Sequence, residues 1–257
     1  MSGVIQIIMG YGMTSELLPI YQALLEEHDL EALTVRASMY SGVFLPTPLP
    51  AYGQAPFRLM VVGQETRGWN GKLTKLVDAR KADSLAAYVT QSVNTYQQRR
   101  LRKPGQSRFL QFLRQAERQL GLPTNAVHWS NLYACDYRKK TPRNRPDAEI
   151  SALTSFSQPL LAQQIVQLRP DAILFTTGPS CDAYIKAFCA QHLGGYSNSQ
   201  VIEPRKLWTF LAGGIPCYRT THPRYVRDNA YRRQALALIR GQMESAGSSA
   251  PKKACPV

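Results

Sequence analysis

Acidic residues are scarce in this chain. Its 257 residues carry 17 Asp+Glu against 31 Lys+Arg, a formal net charge of +14. On a chain whose hydrophobic content, 44%, is ordinary, such a surplus points to a polyanionic partner. DNA is the expected partner, since a basic surplus is most often the footprint of nucleic acid. An anionic membrane surface is the alternative, and no basic amphipathic helix stands out to favour it. Cysteine is also sparse. Cys135, Cys181, Cys189, Cys217 and Cys255 are odd in number, scattered, and form no CxxC pair. This spacing argues against a zinc ribbon or a disulfide framework, so no metal or cofactor is expected, and a reduced, cytoplasmic setting is the default. Long apolar runs are missing too. Nothing approaches the ~20 residues of a membrane span. The opening MSGVIQIIMGYG has no basic residues before its apolar run and makes a poor signal peptide. No internal repeat or clear second domain is visible, and a monomer is expected.

What the chain does have is a set of short apolar runs that stop at polar residues. Leu59-Met60-Val61-Val62 ends at Gly63 and is followed by Gln64-Glu65. A β-branched run stopping at glycine reads as a buried strand feeding a turn. Similar strands are expected over 126–133, 171–177 and 215–221, ending near Asn131, Thr177 and His222. Between them lie helical patterns: a stripe from Leu17 to His28 capped by Thr14 or Ser15, a helix within 72–107, one through Phe109, Leu113, Ala116 and Leu120, one capped by Asp147 that Pro159 should kink or divide, one opened by Gly178-Pro179-Ser180, and one from Asp228 to Arg240 ending at Gly241. Residues 4–9 are a short strand or arm, 41–56 a proline-rich extended connection, and 192–214 glycine-rich and irregular. The basic run Gln97 to Gly105 is either a phosphate clamp or a solvated loop.

Strands alternating with helices predict an α/β fold: three α/β/α layers with a four-stranded, mostly parallel central sheet. The expected organisation is a helical and Pro-rich extension over 1–57 packed on the core, a main domain over 58–241, and a disordered tail over 242–257. In such sheets ligands bind at the carboxyl ends of the strands. Glu65, Asn131 and His222 fall there, and Gly178-Pro179-Ser180 opens a helix where a phosphate can sit. Singly, each has a plainer reading: a polar loop residue, a turn asparagine, a histidine with a structural bond. Their convergence is the signal.

In that order the pieces resemble the uracil-DNA glycosylase superfamily. Gly63-Gln64-Glu65-Thr66-Arg67 is similar to its first motif, GQDPY, GEAPG or GMNPG. Ser130-Asn131-Leu132-Tyr133-Ala134-Cys135 followed by Pro142-Arg143-Asn144-Arg145 resembles the asparagine strand of its iron–sulfur members. His222-Pro223-Arg224-Tyr225-Val226 resembles its HPS or HPA motif. The likeness runs from about 58 to 240. Only Cys135 matches a cluster ligand, so no iron–sulfur cluster is implied. Thr66 replaces the motif proline, and Arg67 replaces the residue that shields the base.

The resemblance implies a monofunctional DNA glycosylase that flips a pyrimidine out of the duplex and hydrolyses its N-glycosidic bond. Glu65 matches the acidic position that supports the sugar cation and the water. His222 matches the donor to the pyrimidine O2. Asn131 matches the reader of the base edge, with Gln64 supporting that edge through its backbone. Trp69 either stacks on the base or packs in the core. Arg224, Tyr225 and Val226 match the wedge loop, while Gly178, Ser180 and Thr221 would contact phosphates. Arg67 followed by Gly68 leaves room for a C5 substituent, which suggests a hydroxymethylated or glucosylated cytosine of phage DNA and a defence role. Repair of uracil, or DNA binding without catalysis, are the alternatives.

Overall fold

The run Leu59-Met60-Val61-Val62-Gly63 forms the central strand, and all of it is buried. In chain order the strands are β1 (Leu59–Gly63), β2 (His128–Asn131), β3 (Ala172–Phe175), β4 (Tyr196–Glu203), β5 (Leu207–Ala212) and β6 (Ile215–Arg219). They make one sheet in the order β2-β1-β3-β6-β5-β4. The computed structural model describes residues 16–249. The expected arm at 4–9, the caps Thr14 and Ser15, and residues 250–257 lie outside the described residues. The helices are α1 (16–27), α2 (Glu31–Thr34), α3 (Pro50–Gln54), α4 (Thr74–Lys81), α5 (Leu85–Leu101), α6 (Arg108–Gln119), α7 (Asp147–Leu168), α8 (Asp182–His192) and α9 (Asn229–Ser249).

The fold is α/β, and its sheet is six-stranded and mixed, not four-stranded. β2, β1, β3 and β6 are parallel, the four strands expected from the sequence. β5 runs antiparallel to β6, and β4 to β5. The two added strands come from 192–214, read as irregular. That segment hides its pattern well. β4 is polar and exposed over most of its length, and glycines with positive φ flank the hairpin at Gly194-Gly195 and Gly213-Gly214. The buried Leu207, Trp208, Phe210 and Ala212 hold β5 in the sheet.

Side chains alternate across the sheet and divide the core into two layers. Met60, Val62, Ile173, Phe175 and Cys217 face a core shared with α1, α4, α7 and α8. Leu59, Val61, Ala172, Leu174 and Tyr218 face the other side, covered by α6 and α9. Residues before 58 are part of this core: Leu17, Tyr21, Leu25, Tyr40, Val43 and Leu45 pack with Met60 and Val62. The proline-rich segment is buried from Tyr40 to Leu49. Its backbone groups are satisfied from outside the segment: Phe44 N–H donates to Ala134 O, Val43 N–H donates to the Tyr88 hydroxyl, and the Ser92 hydroxyl donates to Val43 O.

Three local expectations change. Asp147 is the first residue of α7, not its cap, and places its charge in the first turn. Pro159 sits inside α7 without dividing it. α9 passes Gly241 and reaches Ser249, so 242–249 are helical and not a disordered tail. Gln242 helps to hold that extension, accepting from the Tyr218 hydroxyl at 2.9 Å and donating to Asp171 O at 3.2 Å.

Candidate functional site

Because β2, β1, β3 and β6 are parallel neighbours, their carboxyl ends share one edge. A cavity of about 640 Å³ opens there. Gln64, Glu65, Arg67, Gly68, Trp69, Asn131, His222 and Arg224 all line it. Gln64, His222 and Arg224 also border a second cavity of about 490 Å³, with Gly178, Ser180, Thr221 and Tyr225 on its walls. The residues singled out on the sequence therefore meet at two adjoining hollows, except Val226. Val226 begins a short 3-10 turn beside them and is 63% exposed.

Glu65 leaves β1 into the first cavity. Its Oε2 is buried with no hydrogen-bond partner among the described residues. Burial pushes its pKa up to about 7, against the opposing pull of a Thr141 hydrogen bond and of Arg224 and Arg67, with Asp136 adding to the rise. A carboxyl poised there is half ionised near neutrality, the range in which a general base works best.

His222 follows β6. The backbone N–H of Arg224 donates to its Nδ1 at 3.1 Å. A nitrogen that accepts carries no proton, so the neutral ring holds its proton on Nε2. Burial, helped by Arg224, Arg67 and Arg232, pushes the pKa down to about 4, so the ring is neutral at pH 7. The loop is pinned from beneath by the buried Arg232, whose Nη1 donates to Thr221 Oγ1, His222 O and Tyr225 O at 3.1, 3.2 and 3.1 Å.

Asn131 ends β2 and is paired in register with Gly63. A Cβ on Gly63 would lie 2.5 Å from Asn131 Oδ1 and 3.0 Å from the Phe109 ring. Only glycine fits. The indole N–H of Trp129 donates to Asn131 Oδ1 at 3.0 Å, and Asn131 Nδ2 is buried without a partner among the described residues.

The loop after Glu65 is held by a buried aspartate. Asp136 accepts the Gly68 N–H at 2.5 Å and the Lys139 N–H at 2.6 Å, one on each carboxylate oxygen. Gly68 has φ +73°, which favours glycine, and Arg67 is exposed beside it. Gln64 turns its carbonyl to Tyr133 N–H at 2.8 Å and its side-chain amide to Thr177 O.

The aromatic wall differs from the sequence expectation. Trp69 lines the cavity but is only 7% exposed, with edge contacts to Phe44 and Trp129 at 4.9 and 5.7 Å. Phe109, at the first turn of α6, is half-buried and stands 5.1 Å from Trp129 and 6.1 Å from His222. Its spacing from Leu113 and Ala116 places it on their helical stripe. The spacing is right, but the first turn of α6 projects past the packed layer to the cavity rim.

The basic run splits by direction. Arg99 and Arg102 line the cavity mouth with Arg108. Arg100 is 2% exposed and paired with the buried Glu117 at 3.2 Å, with a further bond to Val127 O. Around the second cavity stand Arg143, Arg205, Lys206 and Arg224. Arg205 comes from the β4–β5 turn and was not anticipated. Arg143 donates to Ser180 O at 2.9 Å, tying the two loops together.

No family model matches the chain, and a search of curated proteins finds no match. The functional reading therefore rests on the site itself. Among the described residues no group of three His, Cys, Asp or Glu is placed to hold a metal ion. Cys135 is fully buried in the core. No helix among them is long and apolar enough to cross a membrane.

The arrangement offers a carboxyl near neutrality, a neutral imidazole donor, an amide donor, an aromatic face and a cationic rim. Such a set can hold a flat heterocycle, stabilise negative charge developing on it, and activate a water beside it.

Proposed function

We propose that the chain is a monofunctional DNA glycosylase acting on a flipped-out pyrimidine. The observation that carries this reading is the meeting of Glu65, Asn131 and the Nε2–H tautomer of His222 in one cavity. The base stacks on Phe109, with Trp69 behind in the packed wall. As the C1′–N1 bond breaks, its electron pair moves onto the base. His222 Nε2–H donates to the pyrimidine O2, where that negative charge gathers. The ionised Glu65 supports the cationic sugar and takes a proton from the water that attacks C1′. The products are the free base and an abasic sugar. Among the described residues no lysine lines the first cavity, so the reaction has no Schiff-base nucleophile beside the base.

The second cavity takes the strand that carries the flipped nucleotide. Arg143, Arg205 and Lys206 face its phosphates, with Gly178, Ser180 and Thr221 beside them. Exposed Tyr225 and Val226 fill the gap left in the base stack.

The first cavity, about 640 Å³, is large enough to admit a substituted base. Arg67, Gln98, Arg99 and Arg102 line it and supply hydrogen-bond donors for a polar C5 group. We take a hydroxymethylated or glucosylated cytosine of phage DNA as the substrate and defence as the role. The test is base release from duplexes carrying uracil, 5-hydroxymethylcytosine or its glucoside, read as strand breaks after alkali. Release of uracil alone would make the protein a repair enzyme. DNA binding with no release from any duplex would leave a binding protein.

A further inference from the structure

We infer that Arg232 is a positioning residue for His222: one of its guanidinium nitrogens ties the loop of 221–228 to α9, so that the imidazole and the Tyr225 wedge keep a fixed place at the cavities. The inference rests on the glycosylase reading for what His222 does and adds the residue that sets it in place.

Three arginines are buried among the described residues, Arg100, Arg219 and Arg232, at 2, 3 and 3% exposure. Two of them have the carboxylate partner that a buried cation calls for. Arg100 pairs with Glu117 at 3.2 Å and Arg219 with Asp182 at 2.7 Å. Arg232 is held by neutral oxygens, with no ion pair among the described residues. Asp228 acts on its charge without pairing with it, and is itself paired with Lys206 at 2.7 Å. A cation buried without a carboxylate is expensive to desolvate, so stability gives little reason for it.

The neutral oxygens all belong to one loop. Arg232 Nη1 donates to Thr221 Oγ1, His222 O and Tyr225 O at 3.1, 3.2 and 3.1 Å. Both carbonyls also have a donor inside the loop. Tyr225 N–H reaches His222 O and Asp228 N–H reaches Tyr225 O, each at 3.0 Å. The loop is therefore two successive turns that close without Arg232. What Arg232 adds is the tie from both turns to α9. The first turn carries the His222 ring, whose Nδ1 accepts the Arg224 N–H at 3.1 Å. The second begins at the exposed Tyr225. One nitrogen thus holds the part of the loop that faces the base and the part that faces the base stack.

The charge acts on the same ring. After burial, Arg224 from the same loop, Arg67 from the loop after β1 and Arg232 from α9 all disfavour the imidazolium. Glu65 shares the first cavity with His222, and Arg143, Arg205, Lys206 and Asp228 border the second with it. Arg224 and Arg67 are exposed, so salt and bound DNA screen them, whereas the buried Arg232 is screened least.

The test compares Arg232→Met, which loses donor and charge, with Arg232→Lys, whose ammonium offers three N–H donors to the same three oxygens. Single-turnover base release is measured on duplexes carrying uracil, 5-hydroxymethylcytosine or its glucoside. Affinity for an unmodified duplex and thermal unfolding are recorded alongside. Arg232→Met should lose about a hundredfold in release, the cost of misplacing a reacting group by about 1 Å, and keep its affinity for the unmodified duplex. Arg232→Lys should regain release. NMR of the His222 imidazole gives a readout that needs no activity. Its midpoint, about 4 in wild type, should rise in Arg232→Met, where a cation is gone, and return in Arg232→Lys. If Arg232→Met does not fold, Arg232→Gln, which keeps an amide donor and loses the charge, replaces it in both measurements. Wild-type release by the folded variant, or a loss that Arg232→Lys shares in full, overturns the inference. If wild type releases no base from any duplex, the glycosylase reading falls and the His222 titration decides alone. A midpoint that rises in Arg232→Met and returns in Arg232→Lys then upholds the inference, and an unchanged midpoint overturns it.

Discussion

Gly63 and Asn131 are partners across two parallel strands, and the missing side chain of one makes room for the amide of the other. The contact is tight enough to predict the outcome of the smallest change. Gly63→Ala would put a methyl 2.5 Å from Asn131 Oδ1 and 3.0 Å from Phe109. Both lie in the proposed base pocket. Overpacking at a buried point costs about 1–3 kcal/mol, and a displacement of about 1 Å at a reacting site costs on the order of a hundredfold in rate. Base release should therefore fall far more than the melting temperature does. Equal losses in both would mean that the contact is only structural.

The pH dependence follows from two opposite shifts. Glu65 titrates near 7 and His222 near 4. The carboxylate is the working form of one and the neutral ring the working form of the other. Single-turnover base release should rise about tenfold per unit below pH 7 and level off above it, with no histidine limb until far lower pH. Glu65→Gln should remove release and keep DNA binding. It should also raise stability. A carboxyl with a raised pKa stabilises the fold most when protonated, and that contribution is lost as pH climbs from its ordinary value toward 7. Above pH 7 the glutamine variant should gain up to about 2–3 kcal/mol over wild type, measured by denaturant unfolding.

Asp136 predicts a loop phenotype. Each of its oxygens takes one backbone N–H, from Gly68 and from Lys139. Asparagine can accept only one of these and would turn an NH₂ toward the other. A buried unsatisfied donor costs about 1–3 kcal/mol. Asp136→Asn should speed amide hydrogen exchange at 66–69 and weaken base release, while the core strands keep their protection. Uniform loss of protection would point instead to global unfolding.

The parts of this site that a sequence shows are those written into a strand end. β1, β3 and β6 are short, largely buried runs that stop where the chain turns polar, and that pattern alone puts Glu65 and His222 at strand ends. The parts that stayed hidden depend on direction. Phe109 and Leu113 share a helical stripe, yet only Leu113 is fully buried and Phe109 reaches the cavity. Trp129 sits inside an expected strand, but which group its indole addresses is a matter of register. β4 carries almost no apolar alternation, because successive residues, and so both of its faces, are exposed over most of its length. Cationic runs are equally silent about direction.

Arg99 and Arg100 are neighbours with opposite outlooks. Arg99 lines the cavity mouth, and Arg100 is buried against Glu117 and Val127 O. Arg99→Ala should leave stability within about 0.5 kcal/mol, as exposed substitutions do. It should weaken DNA binding and lower the slope of log affinity against log salt by about 0.9, the share of one phosphate contact. Arg100→Ala removes one of the two arginines paired with the buried Glu117, leaving it Arg114 and the Val127 N–H among the described residues. Breaking a buried pair in this way costs about 3–5 kcal/mol. Its DNA affinity, measured at a temperature where the variant is still folded, should keep the wild-type salt slope. If instead Arg100→Ala flattens the slope and leaves the melting temperature unchanged, the side chain reaches DNA and the buried pair is not its resting state.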